Sequence, residues 1–149
     1  MTNQVILYPM RRKIILLIFF FIGFIPLVNS QMKTKTASTL KVEVYYFYPT
    51  ERCPIDLTIE ENVKKTVQTC FSKEIKDGRM IFQVLNTDDK ANAKTVARFN
   101  INAQALYIVK HDKGKEINND LTDFAFSCSQ NNPAKFKSRL KDEIESALK

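Results

Sequence analysis

From residue 41 onward the apolar positions follow two regimes. Short β-branched or aromatic runs alternate with longer stretches that are apolar once in every three or four positions. Lys41 to Tyr48 (KVEVYYFY), closed by Pro49, predicts a strand buried on both faces, with Glu43 near its exposed start. From Pro54 to about Lys76, Ile59, Val63, Val67 and Cys70/Phe71 make a single stripe, which predicts a long amphipathic helix. Pro54 suits its first turn and Asp77-Gly78 supplies its stop. Arg79 to Asn86 predicts a second strand. Lys90 to Phe99 predicts a shorter helix with Ala93, Val96, Ala97 and Phe99 inward. Ala105 to Lys110 is a third strand, His111 to Gly114 a tight turn, and Lys115 to Asn119 a fourth strand. Asp120 can cap a helix beginning at Leu121. Asn132-Pro133 opens a last helix with Phe136, Leu140, Ile144 and Ala147/Leu148 as its stripe.

The resulting order is β-α-β-α-β-β-α with an extra C-terminal helix. A βαβ unit makes two parallel strands joined by a right-handed crossover, and the hairpin that follows must be antiparallel. The expectation is an α/β domain over residues 41–149, a four-stranded mixed sheet with helices on its faces. That element string is the core of the thioredoxin fold.

Residues 1–30 read as a targeting segment rather than as part of this domain. Arg11, Arg12 and Lys13 precede an uncharged apolar run of 15 residues, Ile14 to Val28, which is shorter than the roughly 20 a spanning helix needs. Val28-Asn29-Ser30 suits cleavage after Ser30. A signal peptide is thus expected, and with it an extracytoplasmic location, in a bacterial periplasm or secreted. An uncleaved N-terminal anchor is the alternative and would be the only membrane contact. Polar residues 31–40 read as a linker.

Three of the 23 basic residues and none of the 16 acidic ones lie in that segment, so the formal charge of the remainder falls from +7 to +4. Those charges are scattered, with no basic stripe, and nucleic acid is not an expected partner. With three glycines in the chain there is no Gly-rich loop to cradle phosphates, and no cofactor is expected. A metal site would need more than one histidine or a closer cysteine pair; His111 reads as a solvated turn residue, and no metal is expected.

The candidate chemistry lies in the cysteines at 53, 70 and 128, an odd number for an exported protein. Cys53 falls where the first strand gives way to the long helix, in Tyr48-Pro49-Thr50-Glu51-Arg52-Cys53-Pro54-Ile55-Asp56. The helix N-terminus and the Arg52 charge favour a thiolate there, while Glu51 and Asp56 oppose it. Cys70, seventeen residues along the same helix, lies roughly 25 Å away at about 1.5 Å per residue. It cannot bridge to Cys53, since a disulfide needs Cα atoms within about 7 Å. Cys70 is expected in the core and Cys128 half-buried or at the surface.

The segments YYFYPTERCPIDLTIEENVKKTV, INNDLTDFAF and NNPAKFK resemble the nitrophenyl-compound nitroreductase subunit ArsF family, over Lys41 to Lys149. The resemblance implies a small exported protein of thioredoxin-like fold serving as a subunit of a redox system, whose flavin would belong to a partner. The chain departs from the thioredoxin pattern in two places. Asp56 stands where a Cys-x-x-Cys motif has its second cysteine. Ala105, preceded by Gln104, stands where the loop before the third strand carries a cis-proline, and a trans peptide is expected there because a non-proline cis bond costs about 2.5–4 kcal/mol.

Without a resolving thiol, Cys53 can attack a disulfide but must be released by another molecule. The expected function is therefore a monothiol redox component, forming mixed disulfides with an extracytoplasmic protein partner. A non-catalytic binding module on a degenerate thioredoxin fold is the alternative, and whether the chain is an enzyme stays open. Tyr48, Arg52, Pro54, Gln104 and Ala105 are the expected partner-facing residues. Asp56 is a weak candidate for proton transfer, with a solvated first-turn acid the plainer expectation.

Overall fold

A computed structural model describes residues 40–149; the expected signal peptide and most of the linker lie outside the described residues. The chain runs β1 (Val42–Tyr48), α1 (Pro54–Cys70), α2 (Ser72–Lys76), β2 (Met80–Asn86), a 3-10 turn (Lys90–Asn92), α3 (Ala93–Phe99), β3 (Ala105–Asp112), β4 (Lys115–Asp120), α4 (Thr122–Cys128) and α5 (Pro133–Leu148). The strands form one sheet in the order β2-β1-β3-β4. β1 and β2 are parallel, β3 is antiparallel to β1, and β4 is antiparallel to β3. With β3 alone reversed and helices in the crossovers, this is the thioredoxin-like α/β arrangement the residue pattern predicts.

The two faces of the sheet are covered unequally. Even-numbered β1 residues Val42, Val44 and Tyr46 and β3 residues Leu106 and Ile108 point into the larger core, with Ile59, Val63 and Val67 of α1 and Phe136, Leu140 and Ile144 of α5. The odd-numbered face carries a smaller cluster of Tyr45, Phe47, Phe99, Ala105 and Val109, with Tyr107 partly buried against it. Here the rings stack or tilt at centroid distances of 5.2–5.7 Å for Tyr45, Phe47 and Phe99. α3 is the helix that supplies it: Phe99 is buried and Val96 half-buried, whereas Ala93 and Ala97, expected inward, face solvent. Seven residues on the rim of a sheet can bury only one edge.

Several boundaries differ from the sequence expectation. The long helix does not run on to Lys76: Phe71, at φ −130° and ψ 16°, leaves the helical region, its ring joins the core, and Ser72–Lys76 is a separate turn of helix. The hairpin turn is tighter than expected. β3 continues through His111 to Asp112, which pairs with Lys115, leaving Lys113 and Gly114 at φ 50° and 79° as a two-residue loop. His111 is therefore a strand residue, not a solvated turn residue. Glu43 is buried as well, because β1 is the second strand of the sheet and is flanked on both sides even at its start. Among the described residues no helix is long and apolar enough to cross a membrane.

Candidate functional site

β1 ends at Tyr48, and five residues carry the chain to α1. That loop is fastened to the turn after β2: the Thr50 amide donates to Asp88 Oδ2 at 2.7 Å, and the Thr87 amide donates to the Tyr48 carbonyl oxygen at 2.8 Å. Asn86 Nδ2 also donates to Thr50 Oγ1 at 3.1 Å. Bonds from Thr50 hold the Asp88 carboxyl below its usual range, the backbone amide first and the side chain second.

Cys53 is the N-cap of α1, with extended backbone at φ −93° and ψ 162°, and is exposed. Its amide donates to Asp56 Oδ2 at 3.0 Å, and its side chain faces the Asp56 amide in the reciprocal arrangement of a capping box. The sulfur half of that box is the weaker one, since the Asp56 amide also lies 3.1 Å from the Cys53 carbonyl oxygen. Pro54 occupies the first helical position, where no amide is missed.

Asp56 overturns its sequence reading. The side chain is 0 % exposed rather than solvated, because it turns back under Cys53 toward β1 instead of outward from the helix. Oδ1 of this carboxyl has no hydrogen-bond partner. Arg52 does not pair with it. The guanidinium bonds the Asp56 carbonyl oxygen at 3.3 Å, forms an ion pair with Glu60 Oε2 at 2.5 Å, and lies 4.2 Å over the Tyr48 ring. Burial alone would lower the Arg52 guanidinium, but the bond and charge of Glu60 together with Tyr46 outweigh it and hold it above its usual value. Burial likewise opposes ionisation of Glu60, and its bonds to Lys64 and Arg52 pull it the other way, to a net lowering. The Arg52 charge expected beside the thiol is thus largely engaged by Glu60.

Two residues that sequence reasoning passed over complete the site. The Tyr46 hydroxyl donates to the Asp56 carbonyl oxygen at 3.0 Å, and burial together with the Asp56 charge raises its pKa. Leu57, 55 % exposed, is one helical turn from Cys53 on the same face. It shares an open cleft of about 420 Å3 with Arg52, Glu60 and Lys64. Arg52 precedes the helix and Glu60 lies eight residues on, so no helical spacing marked the ion pair, and nothing in sequence distinguished Tyr46 from its aromatic neighbours.

Of the other expected partner residues, Ala105 pairs with Phe47 and so sits at the same end of the sheet as Tyr48. Among the described residues no peptide bond is cis, so Gln104-Ala105 is trans, as expected. Gln104 lines a separate polar cleft of about 370 Å3 with Asn100, Asp120 and Thr122. All three thiols are free; Cys70 is half-buried at the rim of the core instead of within it, and Cys128 is more buried than expected, packed in the larger core.

At the opposite end of the sheet, Glu43, His111 and Glu116 bring ligand atoms within 4.8 Å of one another, the one group of this kind among the described residues. Arg98 already supplies a cation there, bonding Glu43 at 3.3 Å and Glu116 at 2.8 Å. His111 Nε2 lies 2.5 Å from Glu43 Oε1, and the Tyr45 hydroxyl donates to the same carboxylate. Burial would raise the Glu43 carboxyl, but Tyr45, His111 and Arg98 together lower it. The Tyr45 phenol is pushed up to about 12 by burial and by its bond to Glu43.

No known family profile matches the chain, and no curated protein matches it. Among solved structures it is similar to a malarial protein, at 15 % identity and TM-score 0.41 over 66 % of this chain and 96 % of that one. It is also similar to a cysteine-to-serine mutant of the Entamoeba histolytica thioredoxin, at 18 % identity and TM-score 0.39 over 74 % of this chain and 85 % of that one.

Proposed function

We propose that this chain is an exported monothiol redox component acting through Cys53. The observation that carries the reading is the placement of one exposed thiol at the start of a 17-residue helix, with a carboxylate, not a second thiol, at the third residue beyond it. In the proposed step the Cys53 thiolate attacks a disulfide of an extracytoplasmic partner. A bond forms between Cys53 Sγ and one partner sulfur, the partner S–S bond breaks, and the other partner sulfur leaves as a thiolate. With Cys70 and Cys128 set into or against the core, a second molecule's thiol must release the pair.

Export rests on the basic-then-apolar pattern of residues 1–30. The ArsF resemblance, carried by the strand–Arg52-Cys53-Pro54–helix junction, adds a place within a multicomponent redox system whose flavin belongs to another subunit. The rival reading is a docking module without sulfur chemistry, favoured by the exposed Leu57 one turn from Cys53.

The test is treatment of the full-length protein with oxidised glutathione, read by peptide mass, beside Cys53→Ser. The monothiol reading requires one glutathione adduct, at Cys53, absent from the variant. An unreactive Cys53 in folded protein would overturn it in favour of the docking module.

A further inference from the structure

A carboxylate is seldom fully buried, and is costly to bury unless its oxygens are bonded or paired. Asp56 meets half of that requirement. Oδ2 accepts the Cys53 amide, which accounts for the helix cap, but Oδ1 accepts nothing and no cation bonds the group. Arg52, the nearest guanidinium, is turned to the Asp56 backbone carbonyl and to Glu60. Capping therefore explains one oxygen and leaves the other buried and without a partner, in the carboxyl group that bonds the Cys53 amide.

We propose that Asp56 is the proton acceptor for the thiol that releases Cys53 from its mixed disulfide; the inference rests on the monothiol reading and assigns its missing half. An entering thiol R–SH gives its proton to the Asp56 carboxylate. The R sulfur attacks the partner sulfur of the Cys53–partner disulfide, a new S–S bond forms, and the bond to Cys53 breaks with its electron pair remaining on Cys53 Sγ. The entering thiol is oxidised and Cys53 is reduced, with no other electron acceptor. The proton held by Asp56 is then available to the Cys53 thiolate. Glu51 is exposed, Glu60 is committed to Arg52 and Lys64, and His111 lies at the far end of β3. The groups that face Asp56 are Cys53, Arg52 and Glu60 on the loop and α1, and the Tyr46 hydroxyl from β1; none is a free base near Cys53.

The experiment charges full-length protein with glutathione at Cys53 and follows release by added glutathione as a function of pH. Ordinary exchange follows the thiolate alone and rises about tenfold per pH unit below the thiol pKa. With Asp56 as acceptor, the wild-type rate is nearly flat over that range. Asp56→Asn, which keeps an oxygen for the Cys53 amide, restores the steep slope and slows release about a hundredfold at neutral pH. A wild-type slope that tracks the thiolate overturns the proposal, whether or not the variant folds. A folded Asp56→Asn protein with an unchanged rate does the same. If no adduct forms at Cys53 in the first place, it is the monothiol reading that falls.

Discussion

The Tyr46 hydroxyl reaches out of the sheet to the carbonyl oxygen of Asp56 at 3.0 Å and ties β1 to the first turn of α1. This bond joins a fully buried aromatic to the turn that presents Cys53, so stability and site geometry share one contact. Tyr46→Phe keeps the ring and removes the donor. It should cost about 0.5–1.5 kcal/mol in a urea melt, the net worth of one such bond. Loss of protection in the first turn of α1 under hydrogen exchange should accompany it; unchanged protection would separate the bond from the geometry of the site.

Glu60→Gln leaves the Arg52 guanidinium without its anion in a place where both side chains are less than a fifth exposed. Stability should fall by about 1.5–3 kcal/mol, the range for a hydrogen bond to a charged group. Because the Arg52 charge is no longer offset, alkylation of Cys53 by iodoacetamide should become faster. A slower thiol would mean that Glu60 does not restrain Arg52.

The Glu43 network gives the fold an acid limit. Its folded pKa lies below the ordinary 4.5, so the stability it contributes is present above about that pH and drains away as pH falls through the lowered value. Glu43→Gln should flatten the loss of stability below pH 4.5, measured by thermal melts down an acid series. An equally steep acid limb in the variant would place the effect elsewhere.

Tyr45 sets the alkaline counterpart. Its folded pKa is pushed up to about 12 against the ordinary 10.0, so the neutral phenol contributes stability that is whole below pH 10 and is lost as pH rises toward 12. Tyr45→Phe should remove that decline between the two values, followed by melts at alkaline pH.

Asp56→Cys would place a second thiol where α1 begins. The expected outcome is an intramolecular disulfide between Cys53 and the introduced thiol, with a gain of insulin-reducing activity read by turbidity. A folded variant whose two thiols stay reduced under oxidised glutathione would show that this helix start no longer has the geometry of a dithiol site.

The succession of elements, the parallel β1–β2 pair and the antiparallel β3–β4 hairpin were legible because hydrophobic period and breaker residues act locally, whereas the pairing of β1 with β3 was not. The cap at Asn132 was readable for the same reason, its side chain accepting an amide three residues on. The polar residues at 43, 56 and 111 were misread. Glu, Asp and His are most often solvated, and what buries the first two and half-buries the third is non-local: Arg98 of α3 reaches Glu43, Tyr46 closes over the turn containing Asp56, and β3 runs two residues past its apolar stretch to include His111. Cys53 was found from its neighbours alone; the ion pair that draws Arg52 away from it required the helix to be built.

The lacing of Thr50 and Tyr48 to Asp88 and Thr87 bears on the energetics of encounter. A reactive residue on a slack loop must be immobilised when a partner arrives, at about 0.5–1.5 kcal/mol for each ordered side chain. Here the approach to Cys53 is already immobilised by its own chain. On the proposed monothiol role, discrimination among partners would then depend on whether their surface fits a preset shape, and a poorly matched disulfide would not be accommodated by the loop giving way.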